Sequence, residues 1–141
     1  MGDWREKLAA LGRQLEAEER AETERKAAAL KAFRTRLEVL SQVVEEARLF
    51  ADAFGVDMTC RIGRFDERYP YLELSIRKPA LEYRVECRDG AIWERLKEGD
   101  ARATEAQVSL ETMSKRAFGE RVTGWVRAAA EANRKVPGRR R

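Results

Sequence analysis

Large apolar residues recur at helical spacing in two separate runs along the first part of the chain. Trp4, Leu8, Leu11 and Leu15 stand 4, 3 and 4 residues apart, which lays one apolar stripe along about three turns of helix. Leu30, Phe33, Leu37, Leu40, Val44, Ala47, Ala51 and Phe54 then alternate threes and fours without a break. That is a heptad seam of about three and a half repeats. Between the runs, the segment EAEERAETERKA has no large apolar residue, but it sets Glu16 against Arg20 and Glu22 against Lys26 at i,i+4. Each such pair is worth about 0.2–0.5 kcal/mol, so the segment can be helical while fully solvated. Asp3 with Glu6 three residues on is a capping-box variant, and Gly55 after Phe54 is a natural stop. One helix from about residue 3 to about residue 54 would be roughly 75 Å long at 1.5 Å per residue. A compact domain of this size has a radius of gyration near 14 Å. The helix therefore either protrudes from the body or bends back between residues 16 and 28.

The period changes to two after Gly55. Met58, Cys60 and Ile62 alternate with polar residues, as do Leu72, Leu74 and Ile76, and again Leu81, Tyr83, Val85 and Cys87. Asp89-Gly90 is a two-residue hairpin signal that returns the chain into a short fourth strand near Ala91 to Leu96. That register sets Arg88 opposite Ala91, Cys87 opposite Ile92 and Glu86 opposite Trp93, so the Trp93 indole lies on the charged outer face. Thr104 and Gln107 form a T-x-x-Q capping signature, and Leu110, Met113, Ala117, Phe118, Val122, Trp125 and Ala129 keep helical spacing to about Asn133. Gly119 and Gly124 inside that helix each cost about 1 kcal/mol and call for close packing or a kink.

The expected fold is α+β: a long N-terminal helix, a three- to four-stranded antiparallel meander, and a C-terminal helix packed on one sheet face. Residues 1–28 form a protruding or folded-back helical arm, residues 29–135 a single domain, and residues 136–141 a basic disordered tail.

Composition narrows the chemistry. The 141 residues include no histidine and two cysteines, which removes the commonest general base and metal ligand and leaves catalytic constellations without parts. No G-x-G-x-x-G or P-loop pattern occurs, and Cys60 and Cys87 lie on strands two spacings apart, beyond disulfide reach. They read as small core residues. Asp57, Asp66 and Glu67 are the carboxylates with any claim to acid–base or cation chemistry, and the last two read better as a solvated loop tip. The expectation is a non-enzyme with no metal and no cofactor.

The net charge of +4 sits in the tail: Arg134, Lys135, Arg139, Arg140 and Arg141 are five positive charges, which leaves the rest of the chain at minus one. The strand region is balanced and lacks the electrostatic footprint of a nucleic-acid platform. No window approaches a membrane span, and the charged N-terminus has no secretory pattern, so a cytoplasmic protein is expected.

Two function classes follow. The first is a protein-interaction or scaffold module that self-associates, as a homodimer or through a coiled coil, or docks on a partner. Trp4, Leu8, Leu11, Leu15 and Trp93 would form its interface. For Trp93 the alternative is burial beneath the returning arm of the same or a second protomer. The second class is a nucleic-acid-associated protein of nucleoid or ribosomal type that uses the Arg-rich tail.

Overall fold

The computed structural model describes residues 3–64 and 68–134. Helix α1 spans Asp3–Ala53, 51 residues without a break. The polar segment is thus continuous helix, braced in part by Glu22 and Lys26 at 3.6 Å. The arm does not bend back. The chain leaves α1 through Phe54 and Gly55, whose φ of +69° suits a residue without a Cβ.

Five strands follow in chain order: β1 (Met58–Gly63), β2 (Tyr71–Ile76), β3 (Leu81–Arg88), β4 (Ala91–Glu98) and β5 (Thr104–Val108). Each pairs antiparallel with its neighbour in one sheet of order β1-β2-β3-β4-β5. The Asp89-Gly90 hairpin has the register expected from two-residue turn chemistry, with Glu86 opposite Trp93 and Cys87 opposite Ile92.

The fifth strand corrects the expectation of at most four, and with it the start of the second helix. Thr104 and Gln107 do not cap a helix. They belong to β5, where Thr104 pairs with Leu96 and Gln107 with Trp93. A T-x-x-Q motif also fits an exposed edge strand, because β-branched Thr104 suits extended backbone and β4 supplies the partner ladder. A 3-10 turn at Leu110–Met113 leads into α2, Lys115–Arg134. Its cap is Ser114, whose Oγ accepts a hydrogen bond from the Ala117 amide at 3.1 Å.

The core lies between the sheet and the two helices. Phe33, Leu37, Leu40, Val44 and Ala51 from α1 meet Leu72, Leu74, Tyr83 and Val85 from the sheet and Phe118, Val122 and Ala129 from α2. Most of the heptad seam is therefore spent inside the protomer, with Phe54 at its end left exposed. Arg36 Nη1 donates to the Leu110 and Met113 carbonyls at 2.9 Å, Val43 lies beside Gly119, and Asn133 Nδ2 donates to the Gly55 carbonyl. These contacts advance together along both helices, so α1 and α2 run parallel. Gly124 has open space where its Cβ would be, so close packing does not explain it, and α2 continues through it unbroken.

Candidate protein interface

The β3–β4 turn of the body approaches the N-terminal half of α1 at Arg25 and Lys26. A Cβ on Gly90 would lie 2.9 Å from Cγ of Lys26. Upstream of that point the helix carries Trp4, Leu8, Leu11 and Leu15, all between 47% and 62% exposed. Large apolar side chains are thus concentrated on one exposed stripe outside the core. Arg5 lies 4.9 Å over the Trp4 ring, which leaves the indole exposed.

A second apolar surface was not anticipated from the sequence. Where α1 and α2 run side by side, they leave a groove of about 1150 Å³ on the side away from the sheet. Val43, Ala47, Phe50 and Phe54 line it from α1, and Gly119 and Val126 from α2. Phe50 and Phe54 stack with ring centroids 4.6 Å apart, and Phe50 is 56% exposed. Glu46, Glu120, Arg127 and Arg134 are among the charged residues at its margin. The spacing of Val43, Ala47, Phe50 and Phe54 is 4, 3, 4, a helical signal present in the sequence but overlapped by the heptad seam.

Trp93 stands on the outer sheet face, half-buried, with the Arg88 guanidinium 5.0 Å over its ring. Because α1 is continuous, its own arm does not return to cover it. Around it the charges pair as cross-strand alternation predicts: Arg84 meets Glu73 at 2.7 Å and stands 4.1 Å over the Tyr71 ring, and Arg88 meets Glu105 at 2.7 Å.

On the opposite face, Glu94 occupies an inward position of β4 between Ile92 and Leu96, and pairs with Arg121 of α2. Arg121 also lies 5.2 Å over the Tyr83 ring and 5.1 Å over that of Trp125. Burial, and then the Glu94 carboxylate, push the Tyr83 hydroxyl above its ordinary range, with Arg121 opposing. The cluster joins the sheet to α2. The alternation Ile92, Glu94, Leu96 signalled an inward carboxylate in the sequence, and only the fold supplies its partner.

Cys60 and Cys87 are free thiols. Burial, then Glu45, raises Cys60 to about 11, and burial raises Cys87, which keeps both protonated and unreactive near neutrality. Asp57 makes an exposed 3.8 Å pair with Arg77. Asp66, Glu67, Lys135, Arg139, Arg140 and Arg141 lie outside the described residues, and Arg134 ends α2 in an exposed position. Among the described residues no cluster of His, Cys, Asp or Glu is arranged to hold a metal ion. No helix among them is long and apolar enough to cross a membrane.

Comparison with protein-family models, with curated proteins and with solved structures returned no match.

Proposed function

We propose that this chain is a protein-interaction module whose N-terminal helix associates with a second protein surface, a further copy of the chain foremost. One observation carries the reading: the stripe Trp4, Leu8, Leu11 and Leu15 is exposed on a helix that does not fold back. Burying apolar surface contributes about 25 cal/mol per Å², so four large side chains held on one rigid face are a strong association element. A rigid helix also loses little further backbone freedom on docking. The expected setting is cytoplasmic, and the expected assembly is a homodimer.

The test is light scattering and affinity capture with the full chain and with a variant in which all four stripe residues are serine. The variant should remain folded, because none of the four belongs to the core. Loss of assembly mass or of a captured protein in the variant supports the reading. Identical mass and identical capture by the two proteins overturns it.

A further inference from the structure

We propose that the occupant of the α1/α2 groove is the N-terminal stripe of a second copy of this chain, in a reciprocal antiparallel dimer. The inference rests on the interaction role proposed above and specifies its partner surface.

The two apolar surfaces match in spacing. The stripe and the α1 side of the groove both read 4, 3, 4, a spacing that is the same in either direction along a helix. Run antiparallel, Leu8 of one copy faces Phe50 of the other and Leu11 faces Ala47. The same register sets Trp4 against Phe54 and Leu15 against Val43. Large residues thus meet the aromatic end of the groove, or its small-residue floor at Ala47 and Gly119. On an ideal helix the stripe and the groove residues are about 60° apart around the axis, within the width of one amphipathic face.

The geometry requires a second copy. Leu8 and Ala47 lie on one unbroken helix, roughly 58 Å apart at 1.5 Å per residue, so a protomer cannot fill its own groove. When two α1 helices pair in this register, their midpoint falls at Ala29, within the Ala27–Ala29 run. The interface is isologous and closes at two copies.

Electrostatics favours the same direction. The helices that form the groove run parallel, so an antiparallel third helix opposes both dipoles. It brings Asp3 to the end of α2 that carries Arg134. In the middle of the pairing, Glu22 faces Arg36.

The test compares the full chain, Leu8→Arg and Phe50→Arg by light scattering over a concentration series. Both substituted residues are exposed, and circular dichroism melting checks that each variant is folded. The expected result is a dimer for the full chain, a monomer for each variant, and partial recovery of dimer when the variants are mixed. Recovery follows because the arm of the Phe50→Arg chain meets the intact groove of the Leu8→Arg chain. If Leu8→Arg is monomeric but Phe50→Arg still dimerises, the arm associates elsewhere: the groove assignment fails and the interaction reading stands. A full chain that is monomeric throughout, or two variants that both stay dimeric, overturns the groove assignment outright.

Discussion

Arg121 of α2 and Glu94 of β4 form an ion pair on the apolar side of the sheet, with the Glu94 side chain 12% exposed. An ion pair so placed costs little while both partners are present and much when one is removed, because the remaining charge is then held away from water.

Arg121→Ala should therefore destabilise the fold by about 2–3 kcal/mol, part of it from the lost guanidinium over Tyr83 and Trp125. Glu94→Ala should cost less than Arg121→Ala, since the Arg121 side chain is 36% exposed and retains water. Urea denaturation of both single variants and the double variant gives the coupling. A double variant as destabilised as the sum of the singles would show that the pair is not coupled.

Stability should decline at high pH. The folded state favours the protonated forms of Cys60 and Tyr83, so each contribution is complete below the unfolded pKa and is lost as pH rises. For Cys60 the window runs from 9.0 to about 11. For Tyr83 the loss begins near 10.0 and continues beyond it. Tyr83→Phe should be close to neutral at pH 7 and flatten the upper part of that decline. Chemical denaturation at several pH values measures both effects.

Gly90→Ala should destabilise more than Gly99→Ala. Both glycines have positive φ, +80° and +57°, so each substitution carries the left-handed penalty of about 1 kcal/mol. Only at Gly90 does the new methyl meet another element, at 2.9 Å from Lys26 Cγ. Thermal melts of the two variants should differ, and trimming the Lys26 side chain to Ala should narrow the difference.

Ser114→Ala should cost about 1 kcal/mol through loss of the α2 cap. Thr104→Ala, on the exposed edge strand, should cost less and leave α2 unaffected. Amide exchange at Ala117 distinguishes the two: protection there should fall in the first variant and hold in the second.

Much of the fold was legible because the periodicities were long. Eight residues in a heptad pattern define α1 from Leu30 to Phe54, and the alternation through Leu81, Tyr83, Val85 and Cys87 defines β3 and, with Asp89-Gly90, its register. β5 was hidden because Thr104 to Val108 has a single large apolar residue, Val108. Its pattern is mostly exposed, and it forms because β4 offers a free edge. The exposed stripe was legible because a polar segment isolates it from the core seam. The groove was not, since Val43 and Phe50 lie beside that seam. Which of two neighbouring stripes is covered depends on where α2 lies.

The rod formed by α1 also governs how the protein moves through solution. At about 76 Å by the 1.5 Å rise, its 51 residues far exceed the width of the two-layer body they are anchored to. Such a particle experiences more friction than a sphere of equal mass, so it migrates early through a porous matrix and tumbles anisotropically. A single protomer will therefore elute where a larger compact protein would.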